Sequence, residues 1–133
     1  MIDCHVHLAA LRTKDNGCYI SPRLLNSSLF RFLSWKHGLP IEDAARFNQK
    51  YVEALLAELR RSRYVEKAVL LGMDGVYDSS GRLDEERTEF LVGNDYVLSL
   101  AGSYPDEFLS GVSINPRRLG CTTISSSHAT RPP

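Results

Sequence analysis

Val65-Glu66-Lys67-Ala68-Val69-Leu70-Leu71-Gly72-Met73 is the stretch whose reading decides the fold. From Ala68 to Met73 the run is apolar without alternation. A strand with one wet face alternates apolar and polar residues, whereas a strand covered on both faces does not. The run therefore predicts a buried strand of a parallel sheet. The turn-rich Asp74 to Arg82, with Gly75, Asp78, Ser79, Ser80 and Gly81, follows it as a loop.

A parallel strand needs a crossover, and the preceding sequence supplies one. Ile41, Ala44, Ala45, Asn48, Val52, Leu55, Leu56 and Leu59 recur at helical spacing. Glu42, Arg46, Lys50, Glu53 and Arg60 fall on the other side. This predicts an amphipathic helix of about six turns. The basic run Arg60-Arg61-Ser62-Arg63 reads as its terminus. Further back, Ser21-Pro22 is a helix start, with an N-cap serine before proline at the first helical position. That helix is expected to run through Leu24, Leu25, Leu29, Phe30 and Leu33 and to stop near Gly38. His37 then lies on the surface or acts as a helix-end charge partner. Leu8 to Ile20 reads as a loop around Asp15-Asn16-Gly17, and Met1 to Val6 as a short buried strand. Downstream, a helix is expected over about Asn94 to Ser103, ended by Tyr104-Pro105-Asp106. A third apolar strand follows from Phe108 to Ile114, closed by Asn115-Pro116.

Strand, helices, strand, helix, strand is the order of an α/β fold with parallel strands and right-handed crossovers. Functional groups in such folds gather beyond the carboxyl ends of the strands. His5 and His7 stand at the first such end, Asp74 past the second and Asn115 past the third. Asp3, two residues before His5, is expected to share its face but to lie deeper. It would support the strand end or the ligands rather than bind metal. Residues at i and i+2 of a strand project to the same side, so His5 and His7 can offer two imidazole nitrogens to one divalent ion.

Composition narrows the classes. The 133 residues are enough for one domain with a core, and 43% hydrophobic with 24% charged residues is the balance of a soluble globular protein. Sixteen basic and sixteen acidic side chains give no net charge, so a nucleic-acid surface is not expected. No apolar run approaches the roughly 18 residues of a membrane span. No secretory leader is read before the first strand, and a cytoplasmic location is expected. Cys4, Cys18 and Cys121 are odd in number and widely spaced, without a disulfide framework. Cys4 is expected to be buried and to face away from the histidines. From Arg117 the chain turns to serine, threonine, proline and arginine with no acid. This tail, 117–133, is expected to be disordered and unrelated to the fold. His128 within it is a poor third ligand.

Ile2-Asp3-Cys4-His5-Val6-His7 resembles the first-strand signature of the metal-dependent amidohydrolase superfamily. The stretches Leu71-Gly72-Met73-Asp74-Gly75, Gly81-Arg82-Leu83-Asp84 and Asn94-Asp95-Tyr96-Val97 look like its amidohydrolase-2 branch, as do Tyr104-Pro105-Asp106 and Gly111-Val112-Ser113-Ile114-Asn115-Pro116. That branch includes aminocarboxymuconate-semialdehyde decarboxylase. The resemblance covers residues 1–116 and implies a (β/α)8 TIM barrel with a divalent metal, zinc first, at its carboxyl-end mouth. His5 and His7 would be the two first-strand ligands. Asp74 and Asn115 would be substrate or supporting groups, as Asp3 could be; a loop cap is an equal reading of Asp74. The activity implied is hydrolysis of an amide, ester or lactone, or decarboxylation of a small carboxylic acid.

The family's further histidines and its eighth-strand aspartate have no counterpart here, and a complete barrel needs at least about 200 residues. The expectation is therefore the amino-terminal portion of such a barrel, about three of eight strands, inactive alone. A frameshift, splice form or gene-model error near Arg118 would explain it. The alternative is a non-catalytic partial fold that acts only by associating with another chain, and self-association through exposed sheet edges is the form expected. A TatD-like nuclease or a PHP phosphoesterase is a further His-x-His reading, though Leu8-Ala9-Ala10-Leu11 follows the pair where a PHP enzyme would carry more histidines and acids.

Overall fold

The computed structural model describes residues 1–120. Three strands, β1 (Ile2–His7), β3 (Lys67–Leu71) and β5 (Phe108–Gly111), form a parallel sheet in the order β1-β3-β5. A two-stranded antiparallel sheet joins β2 (Tyr19–Ile20) to β4 (Phe90–Leu91). Four helices connect them: α1 (Pro22–Leu25), α2 (Ser28–Lys36), α3 (Ala44–Arg61) and α4 (Asn94–Ser103). The fold is α/β, with parallel strands and helical crossovers as the sequence predicts. No helix among the described residues is long and apolar enough to cross a membrane.

The apolar run forms the central strand. Ala68 and Leu70 of β3 are buried on one face. Val52 and Leu56 of α3, Val97 of α4 and Phe108 of β5 join them in one core. Val69 and Leu71 are only partly covered on the other face. β3 ends at Leu71 rather than Met73, because Met73 bridges antiparallel to Val92. β5 ends at Gly111 rather than Ile114, since Val112 and Ile114 lie beyond the last residue paired with β3 and are exposed.

Three expectations fail at the amino end. β1 is not buried: five of its six residues are exposed and only Val6 is half-buried, because Val6 is its one side chain packed against the core. Cys4 is exposed with it. Leu8 to Ile20 is not a plain loop; Leu8, Ala10, Leu11 and Cys18 are core residues, and Tyr19–Ile20 is a strand. Polar side chains order this passage. Leu11 N donates to Asn48 Oδ1 (2.7 Å), and Asn48 Nδ2 donates back to the Leu11 carbonyl (2.9 Å). Asn16 Nδ2 donates to the same carbonyl at 2.8 Å, while its Oδ1 accepts from Thr13 N and Cys18 N.

The first helix is broken in two. Ser21 caps α1 through Leu24 N as predicted, but the backbone leaves the helix at Asn26, and Ser27 caps α2 by accepting from Phe30 N at 3.2 Å. Two competing serine caps within one apolar periodic stretch explain the break. His37 is the exposed C-cap of α2. α3 begins at Ala44 rather than Ile41, because Asp43 takes the N-cap and accepts from Arg46 N at 3.0 Å. It ends at Arg61, within the basic run read as its terminus.

Arg117 to Gly120 continue past β5 as a turn, with Leu119 N donating to Gly81 O at 3.2 Å. The rest of the expected tail, with Cys121 and His128, lies outside the described residues.

Replacing Asn48 by alanine leaves the Leu11 N–H without its buried acceptor, at a cost of about 2 kcal/mol. The expected result is a lower urea midpoint with an unchanged slope, read by far-UV circular dichroism. An unchanged midpoint would mean that this amide does not hold the Leu8 to Gly17 passage.

Candidate functional site

β1 carries His5 and His7 to its carboxyl end, with His7 in register with Leu71. Their Nε2 atoms lie 2.9 Å apart and the rings meet edge to face, 4.7 Å between centroids. The even spacing is thus expressed as convergence. With both rings neutral, one Nε2–H donates to the lone pair of the other. Both side chains are exposed.

The path of β1 to this point is irregular. Asp3 pairs with Ala68 and Val6 with Leu70, so three steps of β1 match two of β3. This is a β-bulge, which re-aims the side chains that follow. The Asp3 carboxylate accepts from the His5 backbone N–H at 3.0 Å, inside the bulge. At the far end, the Tyr51 hydroxyl on α3 donates to the His7 carbonyl at 3.3 Å. The strand carrying the imidazoles is therefore held at both ends, by one carboxylate and one phenol. Tyr51 is absent from the sequence-based site, because a tyrosine within an amphipathic helix carries no signal beyond packing.

Zinc bound tetrahedrally, at about 2.0–2.1 Å from each nitrogen, needs its two nitrogens about 3.3 Å apart. The observed 2.9 Å separation is met by opening the pair by about 0.4 Å, a small rotation of exposed rings. The donor chemistry and spacing fit two ligands of such an ion. Among the described residues no group of three or more histidine, cysteine, aspartate and glutamate side chains is placed to hold a metal.

Asp74 and Asn115, expected at the same rim, do meet. Asp74 Oδ2 accepts from Asn115 N at 2.8 Å, and Asn115 Nδ2 donates to Gly75 O at 3.0 Å. Asp74 Oδ1 accepts from Gly75 N (3.0 Å) and from the Tyr77 hydroxyl (2.6 Å). Both carboxylate oxygens are thus engaged in tying the loop after β3 to the loop after β5. Asn94, at the start of α4, makes a second tie: Nδ2 donates to Ser113 O (2.8 Å) and Oδ1 accepts from Ser113 N (3.0 Å). Gly72 leaves room for it, since a Cβ there would lie 2.8 Å from Asn94 Oδ1. Asn94 was read as a helix start and as part of the Asn94-Asp95-Tyr96-Val97 stretch; its backbone-mimicking role depends on a partner 19 residues away.

These ties form one wall of a cleft of about 490 Å³, lined by Asn16, Asp74, Tyr77, Asn94, Ser113 and Arg118 among others. The histidines do not line it. Among the described residues no hydrogen bond joins the pair to Asp74 or Asn115. The structure therefore holds two groupings, the imidazole pair on β1 and the carboxylate-amide cluster beyond β3 and β5. Burial, then the hydrogen bond and charge of Asp74, push the Tyr77 phenol up to about 12, with Arg118 opposing. Burial also pushes the Cys18 thiol up, against a backbone hydrogen bond from Gly93.

Comparison of the chain with protein-family models, curated proteins and solved structures returned no significant match.

The raised Tyr77 phenol gives a pH dependence of definite sign. Above its ordinary value of 10 and up to about 12, the folded chain keeps a proton that the unfolded chain releases. Stability therefore falls as pH rises through that window. Tyr96, also pushed to about 12 by burial, acts in the same direction. In Tyr77→Phe, urea melts across this range should show a shallower decline. An unchanged slope would mean that Tyr77 ionises as freely in the folded chain as in the unfolded one.

Proposed function

We propose that this chain is the amino-terminal portion of a (β/α)8 barrel of the metal-dependent amidohydrolase type, amidohydrolase-2 branch. In this reading His5 and His7 supply two nitrogens to a divalent metal, zinc first. The observation that carries it is the 2.9 Å approach of their Nε2 atoms at the carboxyl end of a strand in a parallel sheet. The parallel order β1-β3-β5 is also what the first turns of such a barrel require.

When bound, the ion would lower the pKa of a coordinated water and polarise a substrate carbonyl or carboxylate. The chain's own residues contribute the setting. Asp3 fixes the His5 amide, Tyr51 fixes the His7 carbonyl, and Asp74, Asn94 and Asn115 hold the loops beyond β3 and β5 together. A small-molecule substrate is part of the reading, as is a cytoplasmic location. Hydrolysis of an amide, ester or lactone and decarboxylation of a small carboxylic acid both begin from this ligand pair. Two nitrogens hold an ion poorly, so activity is assigned to a form with further ligands and not to this chain alone.

Zinc titration of the full chain against a chromogenic chelator, with imidazole ¹⁵N spectra, tests this. Weak, substoichiometric uptake is expected, with the Nε2 resonances of His5 and His7 moving and that of His37 unmoved. His5→Ala and His7→Ala should each abolish it. Uptake that survives both substitutions would remove the metal assignment. Tight stoichiometric binding lost on either substitution would instead overturn the partial-site reading.

A further inference from the structure

The surface of α2 has no place in the metal reading and stands independently of it. Leu29, Phe32, Leu33 and Trp35 are 69%, 54%, 43% and 77% exposed on this one nine-residue helix. Leu29, Phe32 and Leu33, at i, i+3 and i+4, form one outward stripe, and Lys36 follows at i+7. Phe30 and Ser34 turn the opposite way, toward the body of the protein, and Ser34 is buried. A contiguous run of large apolar side chains on a convex helix face marks a contact surface.

Beside this stripe lies an apolar groove between α2 and α3, about 490 Å³, lined by Phe30, Leu33, Phe47, Ala54 and Leu55, with Glu58 among its walls. Leu33 belongs to both stripe and groove, so knob and hole are contiguous on one face. The volume exceeds that of a phenylalanine side chain. Lys36 has no partner among the described residues, while Glu58 at the groove is exposed and pairs only with Arg61, three residues on. A two-fold contact brings each copy's knob to the other's hole, because residue i meets j and j meets i. It would also bring Lys36, one turn beyond Phe32, toward the partner's Glu58.

We propose that the α2 stripe and the α2–α3 groove form a self-complementary docking surface for a second copy of this chain, with Phe32 entering the groove of its partner. Exposed sheet edges, the form of self-association the sequence suggests, are not needed for this contact.

Trp35 is the only tryptophan in the chain and packs beside Phe32, 6.1 Å between ring centroids, so its emission reports on the surface directly. The experiment is sedimentation of the full chain over a wide concentration range, with Trp35 emission followed in parallel. The expected result is a dimer, with emission shifting to the blue as the dimer forms. Phe32→Arg should weaken the dimer by on the order of thirtyfold or more. Ala54→Arg, which fills the groove and leaves the stripe intact, should do the same, with far-UV circular dichroism unchanged in both. Leu29→Glu, at a still more exposed position, serves if either variant unfolds. A monomer at every concentration overturns the proposal. So does a dimer that survives these substitutions, as association through β1 or β5 would, and so does a blue shift that requires phosphatidylglycerol vesicles.

Discussion

The fold depends on the burial of Ala68 and Leu70 in the central strand β3. Among the described residues β3 is the only strand with a neighbour on each edge, and its register fixes the other two. A slip of one residue would turn Lys67 and Val69 toward the helices and Leu70 toward the open face. Gly111 sharpens the same register, since a Cβ there would lie 2.7 Å from Leu71 Cδ2. Once β3 is set, His7 stands opposite Leu71 and the loops after β3 and β5 emerge side by side.

The histidine pair owes its geometry to a different constraint. An edge strand with exposed faces gains little from hydrophobic burial, so its local shape is set by hydrogen bonds. The bulge after Asp3 and the bonds from His5 N to Asp3 and from Tyr51 to the His7 carbonyl define where the imidazoles point. The core face and the polar end of β1 are therefore stabilised by separate means. A change at Asp3, which is exposed, would act on the pair's orientation with little effect on the buried sheet, whereas Tyr51 also packs against the core.

Much of this was legible in the chain. Apolar runs and 3.6-residue periodicity are local signals, and they located the three parallel strands and α3; Tyr104-Pro105-Asp106 marked the end of α4. The serine cap before Pro22 was equally readable. The break between α1 and α2 was not, because Ser27 lies within an apolar pattern that also suits an unbroken helix. The burial of Leu8 to Cys18 was hidden too, since it rests on Asn16 and Asn48, the latter 37 residues from the peptide it satisfies. Asp74 and Asn115 were placed at neighbouring strand ends from topology alone, and a loop cap was one reading of Asp74, but the tie between the two loops required the bonds to be seen.

The sequence by itself determined the α/β order, the parallel central strand and the paired histidines at a strand end. Each follows from the period of a few consecutive residues. Only the tertiary structure decided that Cys4 and β1 are exposed and that Asp74 is occupied by Tyr77, Gly75 and Asn115. It also separated the imidazole pair from the cleft and left one face of α2 uncovered. Burial, hydrogen-bond partnership and exposure are properties of pairs of segments distant in the chain, and no local pattern encodes which pairs will meet.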